Sequence, residues 1–193
     1  MNHAIAVLGP ALTFTDMAAD KWTELCGEKK EKIYAKSIAE VFELVEKGKA
    51  KEGIVPLENR LNGSVMETLD LLFQKNIRIT GTVKIPIRHV LCANANMRSI
   101  RTIISHPQAW SQCSRFIQKH FPNVEFLAEP STVSAMEKVW RSKDETLAAI
   151  GSEKAAQKMG LRIVANNIEN DPENETEFAI IAKNSRKLPV LLR

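Results

Sequence analysis

The chain has 193 residues, 44% of them hydrophobic and 26% charged. That length allows one large domain or two small lobes, and the composition is that of a globular protein able to bury a real core. The formal net charge is +4, yet Glu and Lys interleave over 28–32 and 43–52 and form no basic block. Such runs read as solvated helix faces, so no nucleic-acid partner is expected. A mild positive excess suits an anionic small molecule. Cys26, Cys92 and Cys113 are odd in number and include no Cys-x-x-Cys pair. They point to a reducing compartment and away from a disulfide framework or a zinc site. The opening Met-Asn-His-Ala-Ile-Ala-Val-Leu-Gly-Pro lacks the basic region and long apolar core of a signal peptide. No apolar run approaches a membrane span. A cytoplasmic protein with no membrane partner is expected.

Ala4–Leu8 reads as a short apolar strand broken by Gly9-Pro10, and a helix is expected from Asp16 to about Cys26. Ile33–Ala35 is a second strand. Ser37 is a good N-cap for a helix through Glu46, and Glu40 three residues on completes a capping box. Gly53–Val55 is a third strand, expected to end at Pro56. A polar loop then carries Glu58, Asn59, Arg60 and Asn62 before a helix that starts near Ser64 and runs to Phe73. Ile77–Ile87 is long, extended and rich in β-branched residues.

A new unit begins with a strand over His89–Ala93 and another over Thr102–Ser105. Pro107 to about His120 is expected as one helix with Trp110, Cys113, Phe116 and Ile117 on one face. A strand over Val124–Leu127 follows. Ser131 caps a helix to about Trp140, Leu147–Gly151 is a strand, and Ser152 caps a helix to about Met159. Strands starting at Ile163 and over Phe178–Ala182 complete the chain. Repeated β-α units predict an α/β fold with parallel or mixed sheets. The two halves each start afresh, so two α/β lobes with a central cleft are expected. The first takes 1–80 plus 174–193 and the second takes 81–173, with the site in the cleft.

Several polar motifs fall at expected strand-to-helix junctions: Thr13-Phe14-Thr15, Glu58-Asn59, Ser105-His106-Pro107-Gln108 with Gln112 one turn later, Ser131-Thr132, Gly151-Ser152 and Thr176-Glu177-Phe178. A single hydroxyl at such a place is commonly an N-cap. Their accumulation suggests a site of hydroxyls, amides and helix N-termini, suited to carboxylates and hydroxyls. Residues 55–72 are the richest stretch, because a strand end opening onto a polar loop and a helix start is where open α/β sheets bind ligands. No activated nucleophile is evident. His106 beside Ser105 lacks an acid to orient it, and Cys113 on a buried helix face reads as an inert thiol. His3, His89 and His120 lack metal-ligand spacing, and Gly9 stands without the partners of a phosphate loop. Neither a metal nor a nucleotide cofactor is expected.

Val-Pro-Leu-Glu-Asn-Arg-Leu-Asn-Gly-Ser-Val at 55–65, followed by Leu-Asp-Leu-Leu, resembles a signature of the prephenate dehydratase family, with Arg60 where Ser is usual. Leu-Gly-Pro-Ala-Leu-Thr-Phe-Thr at 8–15 is similar to the family's opening, with Leu12 in place of Gly. Ser-His-Pro-Gln-Ala at 105–109 with Gln112-Cys113, Ser131-Thr132 with Ala135, and Ala148–Ser152 resemble later motifs in order. Asn174-x-Thr176-Glu177-Phe178 matches a further one, with Glu177 in place of Arg.

The resemblance covers nearly the whole chain. It implies a fold like type II periplasmic binding proteins and a reaction in which prephenate loses carbon dioxide and water to give phenylpyruvate, in L-phenylalanine biosynthesis. It implies catalytic roles for Thr176, Asn59, Gln112 and Ser105, with Thr176 central. It implies substrate contacts for Thr13, Glu58, Arg60, Ser131, Thr132 and Phe178. Arg60 and Glu177 read as a paired exchange that moves a cation from one wall of the site to the other. A homodimer is implied by analogy. Family members often carry a C-terminal phenylalanine-sensing ACT domain, and the chain stops soon after Phe178, so neither that domain nor distant-site inhibition by phenylalanine is expected. The competing readings are a relative acting on arogenate, a decarboxylase that does not aromatise its substrate, and a non-catalytic binding module.

Overall fold

The computed structural model describes residues 4–184. The chain clusters into two compact units. Among the described residues, one takes 4–10, Thr15–Ile85 and 175–184; the other takes Ala11–Phe14 and Pro86–Asn174.

The first unit is built on β1 (Ala4–Leu8), α1 (Phe14–Cys26), β2 (Glu31–Ala35), α2 (Ile38–Glu46), β3 (Glu52–Asn59), β4 (Gly63–Ser64), α3 (Met66–Gln74), β5 (Ile77–Pro86) and a late strand over Glu175–Lys183. The late strand is inserted between β3 and β5, giving the order β2, β1, β3, late strand, β5. β1 lies parallel to β2 and β3, whereas the late strand is antiparallel to β3. Val41, Phe42 and Val45 of α2 pack with Val55, Ala179 and Ile181 in one core cluster. The fit is tight at Gly53. An added methyl there would lie 2.7 Å from Val41 Cγ1, 2.9 Å from Val45 Cγ2 and 3.0 Å from Ile181 Cγ1. All three neighbours are β-branched and cannot rotate aside. Gly53→Ala is expected to cost about 1–3 kcal/mol by overpacking, read as a lower midpoint of urea unfolding.

Three expectations change here. Pro56 does not end the third strand, which runs on to Asn59. Phe178 faces Pro56 and Glu177 faces Glu58, so Leu57 is an extra residue at a register shift. Proline is tolerated at such a bulge, and pairing with β1 has already stopped at Ile54. Glu58 and Asn59 are thus strand residues. Next, Gly63–Ser64 folds back as β4 onto Asn59 and Glu58, so the helix starts at Met66 with no side-chain cap. The Thr68 hydroxyl instead ties this helix to β3 by donating to the Pro56 carbonyl at 2.7 Å. Finally, Ser37 does accept from the Glu40 N–H, but the Glu40 carboxylate takes the Lys36 N–H, so the capping box is incomplete.

The second unit holds β6 (Val90–Ala93), β7 (Thr102–Ser105), α4 (Pro107–Gln112), α5 (Ser114–His120), β8 (Glu125–Ala128), α6 (Thr132–Ser142), β9 (Leu147–Gly151), α7 (Glu153–Met159) and β10 (Arg162–Ala165). The late strand Glu175–Lys183 follows as β11. The sheet order is β10, β6, β9, β7, β8. Strand alternation serves two cores. Leu91, Ile103, Ala148 and Ile150 meet Ala109, Cys113 and Ile117 on one face, and Val90, Cys92, Ile104 and Ala149 meet Met136, Val139 and Ala155 on the other.

The single helix expected over 107–120 is two. It breaks at Cys113, whose φ of −112° and ψ of 10° leave the helical region. Asn170 satisfies the break. Its Oδ1 accepts from the Arg115 N–H, its Nδ2 donates to the Ser111 carbonyl and Ser114 Oγ, and its backbone N–H donates to the Gln112 carbonyl. Among the described residues no helix is long and apolar enough to cross a membrane.

Candidate functional site

In the first unit, Asn59 and Thr176 sit directly opposite each other on β3 and β11. Both are buried, at 6% and 8% exposed. Asn59 Oδ1 accepts from the backbone N–H groups of Leu61 and Asn62, each at 3.1 Å. Those two bonds settle which way the amide faces, because only oxygen can accept. The Asn59 NH2 group therefore points the other way, donating to Thr176 Oγ1 at 2.9 Å and to the Glu175 carbonyl at 3.1 Å. The Thr176 hydroxyl receives a hydrogen bond and keeps its own proton to donate. Phe178, two residues on and so on the same face of the strand, is buried.

The charged neighbours take the other face. Alternation turns Glu58, Glu175 and Glu177 away from Asn59 and Thr176, and Arg60, in the turn after β3, joins them. Together with Lys84 they line a shallow surface depression. Lys84 pairs with Glu175 at 2.9 Å, and that hydrogen bond raises the Lys84 pKa, with Glu177 and Glu58 adding to it. Arg60 and Glu177 thus share a charged surface and do not flank the Thr176 hydroxyl.

In the second unit, Gln112 ends α4 and is 7% exposed. Its Oε1 lies 3.0 Å from Nε2 of His89, a buried imidazole. Burial lowers the His89 pKa, outweighing the hydrogen bond to Gln112 and the charge of Glu169. The Phe14 ring meets the imidazole edge-on at 5.6 Å. The loop carrying Thr13 precedes Phe14, and Leu12 there has a φ of 70°. That left-handed conformation is the one glycine adopts without cost.

Ser105 and Ser131 are absorbed by structure. Ser105 is fully buried and donates its proton to the Ile150 carbonyl at 3.1 Å, so it has no donor left for a ligand. Ser131 caps α6 in a complete box: its Oγ accepts from the Ser134 N–H while its own N–H donates to Ser134 Oγ. Ser131→Ala should therefore cost about 1 kcal/mol of stability, measurable by urea denaturation. Thr132 opens the same helix, half-buried. Burial pushes the Cys92 thiol up to about 12 and raises Cys113 as well, leaving both un-nucleophilic. Among the described residues no group of three His, Cys, Asp or Glu side chains is placed to hold a metal ion.

Sequence reasoning weighs His89 only as a metal ligand and passes over Glu169 and Asn170. A lone histidine opening an apolar strand was a signal for the first. Nothing in 166–173 signalled the other two.

Fold and polar groups together define a two-unit mixed α/β protein whose candidate chemistry rests on neutral amides and hydroxyls. The chain belongs to the prephenate dehydratase family, whose model matches residues 5–186. It is 40% identical over 184 residues to a prephenate dehydratase of Methanocaldococcus jannaschii, covering 95% of this chain and 66% of that one. It is 36% identical over 184 residues to a bifunctional chorismate mutase/prephenate dehydratase of Aquifex aeolicus, covering 95% of this chain and 49% of that one. The chain thus spans from about half to about two thirds of these relatives' lengths. Among solved structures, a prephenate dehydratase from Arthrobacter aurescens in complex with L-Phe superposes with a TM-score of 0.85 at 27% identity, covering 95% of this chain and 60% of that one.

Proposed function

We propose that this chain is a prephenate dehydratase, converting prephenate to phenylpyruvate, carbon dioxide and water. The observation that carries the reading is the Asn59–Thr176 hydrogen bond, in a chain of this family. Breaking the bond from the ring to its carboxylate releases carbon dioxide. The electron pair enters the ring, which becomes aromatic as the ring hydroxyl departs. Aromatisation supplies the drive, so the protein need only assist a departing hydroxide. Thr176 has the proton to do this, and a donor aimed at charge that develops in the transition state accelerates the step. The Asn59 amide polarises the threonine oxygen and makes its O–H a better donor. Gln112 offers a second neutral donor, and Thr13 and Thr132 are further candidates for contact with the substrate oxygens.

Three free thiols, on Cys26, Cys92 and Cys113, support a cytoplasmic site of action. Assembly as a homodimer rests on the family resemblance, and sedimentation equilibrium tests it. The test of the function itself is direct. Purified chain is incubated with prephenate, and phenylpyruvate and carbon dioxide are followed together. Equal release of both above the uncatalysed rate is expected. Carbon dioxide with a non-aromatic product, or binding without turnover, would sink the reading. Arogenate assayed in parallel separates a dehydratase of the amino acid from one of the keto acid.

A further inference from the structure

We infer that His89 is a positioning residue: its Nε2–H holds Gln112 Oε1, which fixes the Gln112 NH2 group as a donor to substrate oxygen. This rests on the proposed function, in which Gln112 meets the substrate.

The geometry is specific. His89 Nε2 and Gln112 Oε1 are 3.0 Å apart and both residues are buried. Among the described residues nothing accepts from the Gln112 NH2 group. The alternative arrangement would flip the amide, so that NH2 donates to a bare Nε2 and the ring proton moves to Nδ1. His89 Nδ1 is buried and has no hydrogen-bond partner. The Gly151 backbone stands near enough to the ring to favour its protonation, yet Nδ1 makes no hydrogen bond of ordinary geometry. An orphaned buried N–H is rarer and costlier than an under-used acceptor. The single proton of a neutral ring therefore belongs on Nε2. The ring stays neutral because burial opposes the charged form.

Both partners are held from behind by one segment. The Glu169 carboxylate accepts the His89 backbone N–H at 2.9 Å. The Ile168 N–H donates to the His89 carbonyl at 3.1 Å, and the Asn170 N–H to the Gln112 carbonyl at 2.6 Å. Residues 168–170 thus clamp the start of β6 and the break between α4 and α5 in one frame. The imidazole packs against Phe14 within it. An unheld glutamine would sample both amide orientations and several rotamers; this one is locked by a second side chain that need not touch substrate.

The test is a double-mutant cycle on the full chain, read as kcat/KM for prephenate. His89→Leu removes the donor and is expected to lower kcat/KM by about tenfold, as loss of one neutral hydrogen bond does. In a Gln112→Ala background the same change is expected to cost nothing further, because its effect runs through Gln112. His89→Gln, which keeps an N–H at the same reach, is expected to restore most of the loss. A merely structural histidine would give additive losses and no such rescue, and that result overturns the proposal. Nitrogen NMR of the histidine-labelled wild-type chain supplies the arm that does not need activity. It should show His89 neutral and protonated at Nε2; protonation at Nδ1 overturns the proposal. If the wild-type chain does not turn over prephenate, the proposed function fails, while the NMR arm still decides the His89–Gln112 arrangement.

Discussion

Thr176→Ala is expected to lower kcat for prephenate by on the order of a hundredfold or more, the usual cost of losing one donor to developing charge, with a smaller change in KM. The reason is the direction of its hydrogen bonds. Thr176 Oγ1 accepts from Asn59 Nδ2 at 2.9 Å, so in the proposed reaction its own proton is available to the departing oxygen. That contact strengthens as hydroxide character grows, so its loss falls on kcat more than on binding. The variant should still fold, because Asn59 Nδ2 keeps the Glu175 carbonyl at 3.1 Å and is not left unpaired. Thr176→Ser retains the hydroxyl and should stay within about tenfold of the parent, the span of one ordinary hydrogen bond. Steady-state kinetics at saturating prephenate, with a thermal melt as the folding control, decides the matter. An unchanged kcat in a folded Thr176→Ala chain would remove Thr176 from the mechanism.

Much of the fold was legible because local signals agreed. β7, β9 and α7 fall on the expected Thr102–Ser105, Leu147–Gly151 and Ser152-capped helix to Met159. Each pairs an apolar core with a cap or breaker at its end. Two of the misjudged ends share a cause, since each depends on a partner distant in sequence. β3 continues past Pro56 because β11 supplies the bulge opposite it. The helix after Pro107 breaks at Cys113 because Asn170 satisfies the exposed backbone groups. No window around Pro56 or Cys113 contains those partners.

The same limit governed the candidate site. Asn59, Thr176 and Gln112 were singled out as polar residues at junctions, but their pairings lay beyond a linear reading. Asn59 and Thr176 meet across 117 positions of chain. Gln112 meets His89, which had been weighed only as a metal ligand. Alternation on paired strands then sorted the charged residues. Placing Glu58 on β3 instead of in a loop turns it, with Glu177, to the face away from Thr176, where Arg60 of the following turn joins them. Hydroxyls at helix starts divided as capping physics requires: Ser37, Ser131 and Ser152 all accept from the first turn of a helix.

Asn59→Asp should be nearly as damaging as loss of the Thr176 hydroxyl, although it changes one NH2 group to one oxygen. The introduced carboxyl can still accept from the Leu61 and Asn62 N–H groups, the two bonds that set the turn. The fold therefore survives, at a cost of about 1–3 kcal/mol for facing a buried acceptor against the Glu175 carbonyl. The catalytic consequence follows from the position 2.9 Å from Thr176 Oγ1. A carboxylate oxygen there cannot donate, so the threonine must donate to it, and the proton that the proposed reaction gives to the leaving oxygen is engaged. The added negative charge also opposes a dianion such as prephenate, the proposed substrate. kcat should fall on the order of a hundredfold, comparable to removing one transition-state donor. Adding Thr176→Ala to this variant should cost little more, since both changes remove the same donated proton. Burial beside a carbonyl raises the pKa of the new carboxyl. As pH falls through that value the group becomes neutral and regains an O–H to donate, so activity relative to the parent should recover in acid. A folded Asn59→Asp chain with near-parental kcat, or one whose deficit ignores pH, would show that the direction of this hydrogen bond has no part in the chemistry.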